Sequence, residues 1–132
     1  MSSQFSIDIR VRWGDMDAFG HVNNGAFMRY LEDARILWMD AATEGWEHPD
    51  HGPVVVNINL NFRRELHYPA NVRVHGKVSL PSEKRLVMDH TIVDCADPTA
   101  VYADAQVTLL WLDFRTRRSA AWPRQVHDAL QD

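Results

Sequence analysis

The sequence has 132 residues, of which 45% are hydrophobic and 24% charged, and this ordinary globular composition argues against an intrinsically disordered chain. The formal net charge of −4 gives no overall basic field for nucleic acid, and the single cysteine, Cys95, excludes an intrachain disulfide and a Cys-x-x-Cys metal site. No stretch approaches the roughly 18 apolar residues of a membrane span or resembles a signal peptide, so we expect one cytoplasmic domain over residues 1–132.

The first half of the chain contains a strand pattern followed by a helix pattern. Apolar and polar residues alternate over residues 5–13, the period of a strand with one solvated face. Asn23 or Asn24 can cap a helix that runs to about Thr43, because apolar residues recur there every three or four positions. Residues 44–53 are rich in Gly, Pro and Asp, which predicts a loop.

The period of two returns in the second half. It predicts four further strands at about residues 54–63, 72–80, 86–93 and 101–111, and the tail over residues 123–130 fits a short helix. Short links between strands favour antiparallel neighbours, since parallel crossovers need about a dozen residues or more. We therefore predict an α+β domain in which one long amphipathic helix covers one face of a five-stranded antiparallel sheet.

The densest group of chemically functional residues lies just before the predicted helix. It contains Asp15, Asp17, His21, Asn23 and Asn24. The start of a helix presents free N–H groups and the positive end of the helix dipole, which favour negative charge. A carboxylate that attacks or activates water, next to N–H donors that stabilise an oxyanion, is what acyl transfer requires.

Other interpretations of these polar residues stay open. Asp15 and Asp17 are also common in solvated turns. A calcium loop is disfavoured, because Phe19 and Ala26 stand where such a loop carries ligands. His48 lies near His51 and Asp50, but no further ligand is evident, so we expect no metal and no cofactor. Histidines elsewhere are interpreted as structural: His67, His75, His90 and His127.

The segment over residues 11–35, VRWGDMDAFGHVNNGAFMRYLEDAR, resembles the 4-hydroxybenzoyl-CoA thioesterase-like family of hotdog proteins, in its acyl-CoA thioesterase branch. The shared features are an aspartate after the first strand (Asp17), Gly-His-Val-Asn-Asn, and an aromatic-rich helix that ends in Glu-x-x-Arg (Glu32 and Arg35). The resemblance implies a hotdog fold, a five-stranded antiparallel sheet wrapped around one long central helix. The predicted order of one strand, a helix and four strands agrees with it.

The resemblance also implies a function: hydrolysis of an acyl-CoA thioester to free acid and CoA by a homodimer or homotetramer. Asp17 would be the nucleophile or the general base, and backbone N–H groups near Asn24 and Gly25 would polarise the carbonyl. The implied catalytic residues are Asp17, His21 and Asn24, and the implied substrate-binding residues are Asn23, Gly25, Phe27, Lys84 and Arg85. Lys84 and Arg85 fall in the turn between the third and fourth predicted strands. Paired cations there are also typical of a solvated turn, but they would suit the CoA phosphates, with Arg63 and Arg64 as the next candidates.

Two departures from related patterns bear on the substrate. Phe27 replaces the tyrosine usual at its helix position, and Phe19 stands where plant-type acyl-ACP thioesterases carry an asparagine. The second difference favours CoA over a carrier protein. Two other functions remain open: a non-catalytic acyl-CoA-binding hotdog module, and a hydratase-type hotdog in which Asp17 and His21 move a proton.

Overall fold

A computed structural model describes residues 3–43 and 50–131 of the chain. The strands are β1 (Gln4–Arg10), β2 (His51–Phe62), β3 (Asn71–Ser79), β4 (Arg85–Asp94), β5 (Val101–Asp113) and β6 (Arg118–Ala120). The helices are α1 (Asn24–Thr43), α2 (Arg124–Leu130) and a short 3-10 helix (Trp13–Asp15). The predicted α+β class is confirmed, and most of the predicted loop 44–53, including Trp46 and His48, lies outside the described residues.

The sheet is antiparallel throughout, in the order β1-β3-β4-β5-β2. A sixth strand, β6, was not predicted and pairs with the end of β5. The chain turns back there because Arg117 adopts a φ of 62° and donates its N–H to the carbonyl of Asp113 at 2.8 Å. Three residues are too few to show a strand period in sequence, so the hydrogen bonds to β5 define this element.

The first strand is shorter than predicted. It ends at Arg10, and Trp13 begins the 3-10 helix with 76% of its surface exposed. The cause is local: the Asp15 carboxylate accepts the Arg12 N–H at 3.0 Å and bends the chain out of the sheet. This bend carries the residues before α1 away from β1 and towards the start of the helix.

The long helix packs on one sheet face and forms the core with it. Its buried apolar residues are Ala26, Phe27, Tyr30, Leu31, Ala34, Trp38, Met39 and Ala42. They meet alternate residues of the central strands, such as Val72 and Val74 of β3 and Ile92 of β4. Burial of a large apolar side chain stabilises by about 1.5–3 kcal/mol, so this interface fixes where the start of α1 lies. None of the helices in the described ranges is long and apolar enough to span a bilayer.

Candidate active site

A tight turn connects the 3-10 helix to α1 and brings two predicted catalytic residues together. Met16 and Val22 form a bridge across its base, and the Asp17 N–H donates to the His21 carbonyl at 3.0 Å. At the tip, the Gly20 N–H donates to the Asp17 carbonyl at 3.1 Å. Gly20 has a φ of 86°, which a residue without Cβ adopts at little cost.

The Asp17 carboxylate is oriented by hydrogen bonds on both oxygens. Oδ1 accepts the Phe19 N–H at 2.9 Å, and Oδ2 accepts the Asn23 side-chain N–H at 3.3 Å. The residue is half-buried, so the carboxylate is held in place while one side stays open to solvent. A water molecule or a thioester can therefore approach an oxygen whose position is already set.

One backbone N–H at the start of α1 has no hydrogen-bond partner among the residues that the structure describes. Asn23 caps the helix: its Oδ1 accepts the Gly25 N–H at 2.7 Å, and its carbonyl accepts the Ala26 N–H at 2.9 Å. The Asn24 N–H has no hydrogen-bond partner within the described parts of the chain. Of the two amides predicted to polarise the carbonyl, the Gly25 N–H is bonded to the cap, whereas the Asn24 N–H is available to a substrate.

Asp15 differs sharply from Asp17, although only Met16 separates them. Its carboxylate is buried and accepts bonds from the Tyr30 hydroxyl at 2.6 Å, the Arg12 N–H at 3.0 Å and the Arg29 guanidinium. Burial alone would raise the pKa of Asp15, but these hydrogen bonds and the Arg29 charge outweigh it and hold the pKa below its usual range. Burial and the nearby Asp15 carboxylate raise the pKa of Tyr30. Asp15 thus ties the turn to the helix and is closed to substrate.

A cleft of about 240 Å³ opens beside the turn. Three of the predicted site residues line it, His21, Asn24 and Phe27, together with Val22, Phe62, Arg63, Arg64, Glu65 and Leu66. The rings of Phe27 and Phe62 meet edge to face at 5.3 Å, and Phe62 is 47% exposed. The cleft therefore combines an apolar wall with the helix start and two arginines.

The two arginines that line the cleft, Arg63 and Arg64, differ in their ion pairing. Arg63 forms a forked ion pair with Asp104, at 2.6 Å from Nε and 3.3 Å from Nη2, and these bonds lower the pKa of Asp104. The Arg64 side chain makes no hydrogen bond or ion pair with any residue in the described ranges. The pKa of Asp94 is lowered chiefly by the hydrogen bond from the Tyr102 hydroxyl, and the Arg64 charge adds to that effect. Backbone bonds from both residues to the Tyr102 carbonyl, at 2.8 and 3.2 Å, hold them at the cleft. Arg64 is thus the cleft cation that can accept an anionic ligand.

Lys84 and Arg85 are not at this cleft within one chain. Arg85 begins β4, whereas Asp94, which receives the Tyr102 hydroxyl at 2.7 Å, ends it beside the arginines. About 30 Å of extended strand separates the two ends. Within one chain, Lys84 and Arg85 lie far from Asp17, because their turn joins β3 to β4 at the opposite end of the sheet. Across residues 3–43 and 50–131, no group of three acidic, histidine or cysteine side chains is arranged to hold a metal ion.

The sequence of this chain matches a known protein family. Residues 11–130 match the model of the thioesterase-like superfamily. The long-chain acyl-CoA thioesterase FadM of Escherichia coli (strain K12) is 27% identical over 133 residues, covering 93% of this chain and 94% of FadM.

Two solved structures share more sequence with this chain. PA2801 of Pseudomonas aeruginosa, proposed to be a thioesterase, is 32% identical with a TM-score of 0.88, covering 94% of this chain and 95% of that one. A protein of Xanthomonas campestris, proposed to be an acyl-CoA thioesterase, is 34% identical with a TM-score of 0.78, covering 89% and 98%. These likenesses confirm the hotdog thioesterase fold that the sequence predicted.

Proposed function

The chain belongs to the thioesterase-like superfamily and is a thioester hydrolase, and from this we propose that it cleaves acyl-CoA to free acid and CoA with Asp17 as the reacting carboxylate. One observation carries the proposal: Asn23 links the half-buried Asp17 carboxylate to the start of α1, where the Asn24 N–H is open. The Asn23 side chain thus contacts both the proposed nucleophile or base, Asp17, and the first turn of α1, which carries the proposed oxyanion donor.

The proposed reaction follows from the charges that develop. The thioester carbonyl accepts the Asn24 N–H at the positive end of the helix dipole, so negative charge on its oxygen is stabilised as the carbon becomes tetrahedral. Asp17 either attacks that carbon to form an anhydride, which water then hydrolyses, or removes a proton from the attacking water. The CoA sulfur resembles a cysteine thiol with a pKa of about 8.5, so it leaves as thiolate without strong acid assistance.

Substrate binding is assigned by charge and polarity. We place the acyl group against the Phe27 and Phe62 rings and a CoA phosphate near Arg64, a forked donor with no ion-pair partner in the described ranges. His21 lines the cleft and contributes to the shape of the site. The acyl-CoA class is supported by FadM, a long-chain acyl-CoA thioesterase that is 27% identical to this chain.

We further propose that the protein assembles as a homodimer or homotetramer. β2 pairs with β5 on one side, and within the described ranges its other edge meets no strand over the 12 residues from His51 to Phe62. Val56, on the same strand, is 52% exposed. A long open edge favours pairing with a second copy, which closed two-fold symmetry allows. Sedimentation at low micromolar concentration tests this, and an active monomer would contradict it.

The direct test of function is hydrolysis of aromatic, short-chain and long-chain acyl-CoA, followed by detection of free thiol. Asp17→Asn should lower turnover by about 10²- to 10⁴-fold while the fold is kept, because it removes the reacting charge but retains an oxygen acceptor. Asp33→Asn, an equivalent change at an exposed position on α1, is the matched control and should leave turnover unchanged. Full activity in Asp17→Asn would reject the assignment, and wild-type binding of acyl-CoA without thiol release would indicate the non-catalytic module instead.

A further inference from the structure

His67 makes a contact with the catalytic turn that the sequence did not suggest. It lies in the link between β2 and β3, and its Nδ1 is 3.0 Å from the carbonyl oxygen of Gly20. Its ring also meets the His21 ring edge to face, with centroids 6.4 Å apart. His67 therefore reaches both the backbone of the turn and the side chain that lines the cleft.

The direction of the hydrogen bond follows from its acceptor. A carbonyl oxygen can only accept, so Nδ1 of His67 carries the hydrogen and donates it to Gly20. Nε2, the other ring nitrogen, is 3.5 Å from a carboxylate oxygen of Glu65. The Nδ1–H bond to the turn therefore orients the ring, whereas Nε2 bonds to Glu65 only in the protonated imidazolium form.

The link itself is fixed to the turn. The Val22 N–H donates to the Leu66 carbonyl at 2.7 Å, immediately before His67. Gly20 in turn bonds back to Asp17, since its N–H donates to the Asp17 carbonyl at 3.1 Å. A chain of hydrogen bonds therefore runs from the β2–β3 link through His67 and Gly20 to the backbone of Asp17, the residue that carries the reacting carboxylate.

On this geometry we propose that His67 is a positioning residue for thioester hydrolysis: its Nδ1–H donor holds the Gly20 carbonyl and so keeps Asp17 and His21 in their reactive arrangement. The inference rests on the proposed function, because it assigns His67 a part in the same site. His67 touches neither the thioester nor the reacting water. It acts through the turn, whose tip at Gly20 has no other side-chain hydrogen bond in the described ranges.

Two substitutions of His67 test its Nδ1–H donor and its aromatic ring separately. His67→Asn places a side-chain N–H close to the Nδ1 position and removes the ring, whereas His67→Phe keeps a ring against His21 and removes the donor. We expect His67→Phe to lower kcat about tenfold with KM changed less than twofold, since small displacements of reacting groups are costly to rate. His67→Asn should recover most of that loss. His75→Phe, the same change at an exposed position on β3, should behave as wild type.

Hydrogen exchange of the Phe19 and Gly20 amides reports on the order of the turn without any catalytic turnover. Both amides donate to Asp17, so their exchange rates rise if the turn loosens. Exchange of both amides should be faster in His67→Phe than in wild type and His67→Asn. Wild-type kcat and wild-type exchange in His67→Phe would overturn the inference, as would a His67→Asn variant as impaired as His67→Phe. A wild-type protein that hydrolyses no acyl-CoA would reject the proposed function, and the exchange rates would still decide whether His67 holds the turn.

Discussion

Replacing Tyr30 with phenylalanine tests the hydrogen bond that ties the turn carrying Asp15 and Asp17 to α1. Tyr30 is 1% exposed, and its hydroxyl donates to a carboxylate oxygen of Asp15 at 2.6 Å. Phenylalanine keeps the ring and its packing and removes only that donor. Asp15 retains its bonds from Arg12 and Arg29, so the variant leaves no buried carboxylate without a partner.

The expected cost follows from the kind of bond lost. A hydrogen bond to a charged group contributes about 1.5–3 kcal/mol, and the remaining partners of Asp15 place the loss near the middle, at about 2 kcal/mol. At roughly 3–5 °C per kcal/mol for a domain of this size, Tm should fall by about 6–10 °C. Tyr68→Phe is the matched control, since Tyr68 is 40% exposed, and a surface change of this kind should stay within about 0.5 kcal/mol.

Urea unfolding at one fixed protein concentration measures the difference, because stability of an oligomer depends on concentration. The pKa of Asp15 is lowered in the folded protein, so its ionised form stabilises the fold above the ordinary carboxyl pKa, and this contribution is lost as pH falls through the folded value. The gap between wild type and Tyr30→Phe should therefore narrow below about pH 4. A gap under about 0.5 kcal/mol at pH 7, or one that stays constant into acid, would refute this account of Asp15.

The remaining predictions concern the amide donor and the phosphate contact. Asn24→Pro removes the backbone N–H at the first helical position, where proline is tolerated, and should lower kcat by about 10²-fold or more. Asn24→Ala keeps that N–H and should retain most of the activity. Equal losses in the two variants would exclude the amide as the oxyanion donor. Arg64→Ala should raise KM for acyl-CoA with little change in kcat, and the effect should shrink with added salt. The double change Lys84→Ala with Arg85→Ala should leave KM unchanged, and a rise would show that these cations reach the nucleotide from another protomer.

Much of the fold was predictable because its signals are local. The alternation of apolar residues predicted β2 to β5 within a few positions. The three- and four-residue spacing, with Asn23 or Asn24 as cap, predicted α1 to about Thr43, and the structure identifies Asn23 as the cap. Strand and helix periods persist over many residues, so they survive small local exceptions. The elements that departed from prediction depend on a few specific contacts. β1 ends early because the Asp15 carboxylate accepts a hydrogen bond from the Arg12 N–H, and β6 is defined only by its pairing with β5.

The sequence by itself determined the hotdog class and the segment before α1 as the candidate site, since both depend on patterns that neighbouring residues share. Residue types alone left Asp15 and Asp17 as two acids in one turn, and the family resemblance singled out Asp17. The tertiary structure supplies the physical difference between them, because Tyr30 and Arg29 of α1 bond to the Asp15 carboxylate and not to that of Asp17. The strand order likewise decided that Arg64 borders the cleft while Lys84 does not. The burial of a side chain and its hydrogen-bond partners depend on residues that are distant in sequence, so no local pattern encodes them.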